Sequence, residues 1–166
     1  MSLRQTGPIP SGRTGEVLDV VVAGAHGGAG TSTLAALLPA AWDMGSIASL
    51  LELDRSPLRA KGRPVVLAAR NTAMAAKHAT AAIGALRDWD EQVAALAIVN
   101  DGGPESRDAI ARFALLEGRV GGMVRIPHAR ALRMAEDPSM VVLPGKARQA
   151  VNELRSLLGA PSGQGR

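Results

Sequence analysis

The chain of 166 residues has no cysteine and no tyrosine, one phenylalanine and two tryptophans. Without cysteine there is no disulfide framework, no thiolate metal site and no cysteine nucleophile, and a reducing cytoplasm suits such a chain. With aromatic residues at 2% of the total, the core has to be built from Ala, Val, Leu and Gly, as in closely packed α/β layers. No apolar run reaches the ~18 residues of a membrane span, and the first residues hold no signal-peptide core, so the sequence predicts a soluble protein. The three histidines, His26, His78 and His128, are far apart, with no H-x-x-x-H pattern and no paired carboxylates beside them, which argues against a metal site. Ser32, Ser49 and Ser106 lie outside any G-x-S-x-G context, so a hydrolase triad has no support.

What is present is a hydrophobic fraction of 46%, enough for one substantial core and one domain. The formal charge of +4 and a pI near 10.6 favour an anionic partner, nucleic acid or a phosphorylated ligand. The basic residues are scattered, however. Arg55, Arg59, Lys61 and Arg63 fall in a short connection, and Arg125, His128, Arg130 and Arg133 come late in the chain. For either group an ordinary solvated face is the plainer reading.

The stretch Val20–Leu38, VVVAGAHGGAGTSTLAALL, reads as strand, glycine-rich loop and helix. Residues 1–15 are rich in Gly, Pro, Ser and Thr and are expected to be a flexible tail; 16–158 form the domain, and 159–166 fray. The pattern predicts a helix from Thr31 to about Trp42, opened by hydroxyl residues and disturbed by Pro39. Strands are expected at Ser46–Leu53, Pro64–Ala69, Val93–Val99 and Gly122–Ile126. Helices are expected at Thr72–Leu86, with Met74, Ala75, His78, Ala82 and Leu86 along one face, at Glu105–Leu116, Ala129–Ala135 and Ala147–Leu158. Met74, Met123, Met134 and Met140 read as core filler. Strand and helix alternate throughout, which implies a three-layer, doubly wound α/β fold: a mostly parallel sheet of about five strands with helices on both faces. In such sheets ligands sit outside the carboxyl ends of the strands, where Gly27 to Ser32, Asp54, Arg70, Asn100 and Pro127 all fall.

The segment His26–Thr33, HGGAGTST, resembles the deviant Walker motif K-G-G-x-G-K-[ST]-[ST] of the MinD/ParA family of P-loop ATPases. Three later stretches resemble that family in the same order: LLELD ending at Asp54, LAIVND with Asn100 in the place of the base-binding Asn, and VRIPHARALRMAED with Pro127 opening the last strand-to-helix turn. The resemblance implies nucleotide contacts from Gly27, Gly28, Gly30, Thr31, Ser32, Thr33, Asn100 and Pro127. It implies Mg²⁺ contacts from Ser32 and Asp54 only if a magnesium nucleotide, ATP or ADP, binds.

The departures shape the expected function. His26 stands where the family has its signature Lys, Thr31 replaces the cradle Lys, and Glu52 replaces the first Asp of D-x-D. No D-x-x-G follows an apolar run, and few residues separate Asp54 from the next strand. Phosphoryl transfer rests on positioning and on neutralising developing charge with Lys, Arg and Mg²⁺. Efficient ATP hydrolysis is therefore not expected, and no catalytic residue is assigned. Backbone amides in a glycine loop still attract anions, so a phosphate or nucleotide site could survive. The expectation is a catalytically inactive binding or assembly module, working with a protein partner or with copies of itself, in DNA partition, conjugative transfer or a division or secretion machine. The alternatives are an ATP-dependent switch in which Arg55, Arg70 or a partner chain supplies the missing charge, and a non-specific DNA-binding protein using its basic surface. For the glycines, a tight turn with no ligand is the plainer reading. His26 reads as an idle loop residue or a partial substitute for the lost cation, and Asn100 as a base reader or a turn former.

Overall fold

Four short runs rich in apolar residues and one mixed run, AWDMGS, form one parallel sheet: β1 (Val20–Gly24), β2 (Ala41–Ser46, the mixed run), β3 (Val65–Arg70), β4 (Val93–Val99) and β5 (Met123–Ile126). The computed structural model describes residues 19–38, 40–52 and 57–159. The strand order is β2-β1-β3-β4-β5, the arrangement of flavodoxin-type doubly wound sheets. Residues Val65 to Ala69 of β3 and Ala95 to Ile98 of β4 are fully buried, because helices cover both faces.

The helices are α1 (Thr31–Leu37), α2 (Ile47–Glu52), α3 (Ala73–Asp88), α4 (Arg107–Ala114), α5 (Arg130–Met134) and α6 (Gly145–Gly159). Alternation along each strand divides the core in two. Val21, Ala23, Leu67, Ala69, Leu96 and Ile98 pack with the α2, α3 and α4 layer. Val20, Val22, Val66, Ala68, Ala95 and Ala97 pack with α1 and α6. Helix α3 buries Ala75, Ala76, Ala79 and Ala82, small side chains that let its backbone lie close to the sheet, together with Ile83 and Leu86. Its start is fixed by Thr72, whose Oγ1 accepts from the Ala75 amide at 3.0 Å; Ser106 caps α4 in the same way.

The α/β class, the parallel sheet and most elements follow the sequence reading; the second strand and first helix do not. Helix α1 ends at Leu37, and Trp42 belongs to β2. The expected strand at Ser46–Leu53 is mostly helix: β2 ends at Ser46, whose Oγ accepts from the Ala48 amide at 3.2 Å and so opens α2. Gly45, at φ 71°, turns the chain just before that point. Apolar residues without alternation, I-A-S-L-L, suit a short buried helix as well as a strand, and the hydroxyl cap decides between them.

Asp19, the one charge in the first apolar run, anchors this corner. It accepts from Trp42 Nε1 at 2.6 Å and from Arg63 Nε at 2.9 Å, and the Arg63 guanidinium lies 5.0 Å from the Trp42 ring centroid. Met74, Met134 and Met140 are exposed rather than core, and Met123 alone of the four packs partly against it. On α3, Met74 and His78 point outward because the alanines take the buried stripe. The two tails, Pro39, Asp54 and Arg55 lie outside the described residues.

Candidate functional site

Strand order places a topological switch between β1 and β3, since the chain leaves β1 in one direction to β2 and returns on the other side to β3. A crevice therefore opens at the carboxyl ends of these strands. The loop from β1 into α1 crosses it. Gly28 and Gly30 have φ of 75° and 93°, left-handed values at which a Cβ would be strained, and Gly30 is the residue that leads into α1. No hydroxyl caps α1, contrary to the expectation for Thr31, Ser32 and Thr33. A Cβ placed on Gly24 would lie 2.6 Å from Thr31 Oγ1, so the Thr31 hydroxyl faces back toward the end of β1.

The loop is clasped from β3. Arg70 Nε donates to the Gly28 carbonyl at 2.7 Å. The Arg70 amide donates to His26 Nε2 at 3.1 Å, and His26 Nδ1 donates to the Gly27 carbonyl at 2.8 Å. A carbonyl only accepts and an amide only donates, so these two bonds fix His26 as the neutral tautomer protonated on Nδ1. Its ring centroid lies 5.7 Å from that of His78 on α3. His26 is thus a half-buried structural link and not a replacement cation.

Burial holds the His26 pKa below its ordinary 6.5, with the neighbouring positive charge of His78 and Arg70 acting in the same direction and the Gly27 hydrogen bond opposing. A depressed pKa means that the unfolded chain takes up a proton before the folded one does. The stability this contributes is complete above about pH 6.5 and is lost as pH falls from there through the folded-state value. The urea midpoint of the wild-type protein is therefore expected to drop between pH 7 and the folded-state pKa. In His26→Gln that drop should be shallower, and an equal drop in both proteins would contradict the assignment.

Beside the loop lies a cleft of about 170 Å³ lined by Gly28, Ala29, Gly30 and Thr33, by Arg70, and by Val99, Asn100, Asp101, Pro127, His128 and Arg133. Two guanidinium groups and an imidazole face it, against the carboxylate of Asp101. Asn100 Oδ1 accepts from the Gly102 amide at 2.7 Å, and Asp101 Oδ1 from the Gly103 amide at 3.1 Å, so both oxygens serve the turn after β4. Asn100 retains its Nδ2 as a donor. The larger cavity, about 790 Å³, is at the opposite, amino end of the strands, lined by Arg63, Arg87, Glu91 and Arg119 among others, away from the glycine loop.

Of the residues singled out in the sequence, Gly28, Gly30, Thr33, Asn100 and Pro127 converge on the cleft; Gly27, Thr31 and Ser32 do not line it. Gly27 and Ser32 are exposed on its rim. Asp54 lies outside the described residues. Among the described residues no three His, Cys, Asp or Glu side chains cluster to hold a metal ion. His128 and Arg133 were legible only as members of a basic run; the turn after β5 and the short α5 bring them to the cleft. No helix of the described residues is long and apolar enough to cross a membrane. Compared with family models and with curated proteins, the chain matches none.

Proposed function

We propose that the chain is a MinD/ParA-like domain that holds a phosphate-bearing anion at the carboxyl ends of its strands and acts as a binding or assembly module, without hydrolysing nucleotide. The observation that carries this reading is Arg70, a guanidinium laid against the glycine loop at 2.7 Å from the Gly28 carbonyl, on the cleft that Gly30, Thr33 and Asn100 also line. Glycine loops are used where a backbone approaches an anion closely, and a guanidinium beside one supplies counter-charge in the geometry that phosphate prefers. With a volume near 170 Å³ the cleft takes a phosphoryl group or a base; the rest of a nucleotide would lie across the exposed loop. Of the two residues that the resemblance gives to Mg²⁺, Ser32 is exposed beside the loop and Asp54 lies outside the described residues.

The absence of turnover rests on Thr31 and His26. Neither position carries a cation, the Thr31 hydroxyl faces β1, and His26 is hydrogen-bonded in its neutral form. The same Arg70 also favours a second reading, an ATP-dependent switch in which this residue replaces the missing Lys. Thermal unfolding separates the two. At 100 times its Kd, ATP, ADP or pyrophosphate should stabilise the protein by about 2.7 kcal/mol. That corresponds to a Tm rise of roughly 5–10 °C for a domain of this size. Arg70→Ala should weaken binding about tenfold or more. ATP hydrolysis abolished by Ser32→Ala would establish the switch instead, and no Tm rise with any of the three ligands would remove the anion site. A DNA affinity that falls steeply with salt would point to the basic surface as the working part.

A further inference from the structure

The cavity at the amino ends of the strands, about 790 Å³, falls within the ~300–1,000 Å³ usual for small-molecule sites. Ligands of doubly wound sheets gather at the carboxyl ends, so the topology alone assigns this end no occupant. The cavity lies between the ends of α3 and α6 and the connections that lead into β3, β4 and β5. Gly62 and Gly118 line it and are exposed, and a Cβ on either would meet nothing within 4 Å, so on these sides it is open to solvent. Pro64, Ala94, Val120 and Leu157 are only half-buried and give it an apolar wall that solvent, and so a ligand, can reach.

Three guanidinium groups, of Arg63, Arg87 and Arg119, and one carboxylate, of Glu91, also line the cavity. Arg63 is held by Asp19. Glu91 is held as well, since its Oε2 accepts from the Ala60 amide at 3.1 Å. Arg87 and Arg119 belong to none of the ion pairs of the described residues, which join Arg63 to Asp19, Arg112 to Asp108 and Arg125 to Glu105. Nor is the Arg87 side chain needed to close its helix, because the amides of Trp89, Asp90 and Glu91 already donate to the carbonyls of Ala85, Leu86 and Arg87. Asp88, Asp90 and Glu117 lie on the same segments but do not line the cavity. Two uncommitted cations thus face one engaged carboxylate beside an apolar wall, a balance that favours an anion over a neutral or cationic ligand.

We propose that this cavity is a second binding site, for an organic anion: a carboxylate, sulfate or phosphate monoester carried on an apolar body, its oxygens accepting from Arg87 and Arg119 and its body lying against Val120 and Leu157. Guanidinium groups meet such oxyanions with paired, charge-assisted hydrogen bonds. At the ~30 Å³ that one water occupies in the liquid, the cavity has room for about 25 non-hydrogen atoms, more than an aryl carboxylate needs. It shares no residue with the glycine-loop cleft and does not rest on that cleft holding an anion.

Titration of ¹⁵N-labelled protein with cinnamate, followed on the Gly118 and Gly121 amides and on the Nε–H resonances of Arg87 and Arg119, tests this. Saturable shifts are expected, with NOEs from the cinnamate ring protons to the Val120 and Leu157 methyl groups. Cinnamamide, the neutral isostere, should bind at least tenfold more weakly, and inorganic phosphate, which has no apolar body, should not saturate these resonances. Arg87→Gln and Arg119→Gln remove charges outside the ion pairs and so should fold, and each should weaken cinnamate binding about tenfold. Arg112→Gln, which lowers the net charge equally but lies outside the cavity, should leave it unchanged. An absence of saturation, equal affinity for cinnamamide, an unchanged affinity in either cavity variant, or an equal loss in Arg112→Gln overturns the site. Shifts confined to Gly28 and Gly30 would place the carboxylate in the glycine-loop cleft and overturn it too.

Discussion

Replacing Gly24 with alanine is expected to cost roughly 3 kcal/mol, near the upper end of what overpacking a filled site costs. The added Cβ would stand 2.6 Å from Thr31 Oγ1, 3.2 Å from the His26 carbonyl oxygen and 3.3 Å from Ala29 Cβ. Three neighbours close at once, one of them backbone, so no single rotamer change relieves the contact. The end of β1 and the start of α1 have to separate, and with them the loop that Arg70 and His26 clasp. In urea the midpoint should fall with the slope unchanged, which identifies lost stability rather than a less compact state. Thr31→Ala in the same chain removes the shortest contact and should recover part of the loss, leaving a coupling energy of about 1 kcal/mol, within the range seen for touching residues. Strict additivity of the two substitutions would mean that the loop accommodates the methyl group by another route.

That test also bears on what the sequence made legible. Gly27, Gly28 and Gly30 stand out as a motif, but Gly24 comes before it and looks like the end of an ordinary strand. Its role comes from a hydroxyl seven positions later returning over it, a contact that depends on the loop's path and not on residue type. The alternation of strand and helix carried the fold class, because fully apolar runs such as Val65–Ala69 and Ala95–Ile98 can be buried on both faces only in a parallel sheet between helix layers. It failed at Ser46–Leu53, where the run lacks the alternation that would separate strand from helix, and the deciding cap from Ser46 is a single hydroxyl.

The site divides along the same line. Residues that end strands, Arg70, Asn100 and Pro127, can be placed from the sequence because strand ends in a parallel sheet gather on one edge. What each side chain does there cannot. Asn100 spends its oxygen on its own turn, Thr31 faces inward, His26 is a neutral link, and Asn71 is buried beside an ion pair drawn from residues 105 and 125. Each is a matter of which neighbour arrives first, set by tertiary packing. Asp54, which the resemblance pairs with Ser32, lies outside the described residues, which leaves Ser32→Ala as the discriminating substitution.

The largest single effect is expected at Phe113, the only phenylalanine, fully buried on α4. Phe113→Ala should destabilise the protein by about 3–5 kcal/mol, the usual range for emptying a ring-sized site. The upper end applies because of the chain's composition. Helix α3, against which α4 packs, turns Ala75, Ala76, Ala79 and Ala82 inward, and an alanine has no rotamer with which to fill a void. Leu86 and Leu116 are fully buried in the same cluster and already held. Against a typical total of about 5–15 kcal/mol, the loss takes a large share of the stability, and partial unfolding at 37 °C is expected in the far-ultraviolet circular dichroism. Phe113→Leu keeps most of the volume and should cost about 1.5 kcal/mol. If Phe113→Ala cost no more than that, the α3–α4 layer would have to collapse around the gap, which an alanine face allows only by moving a whole helix. Such a movement would also carry Ser106 and Glu105 at the start of α4, so loss of the Arg125–Glu105 ion pair in folded Phe113→Ala would reveal it.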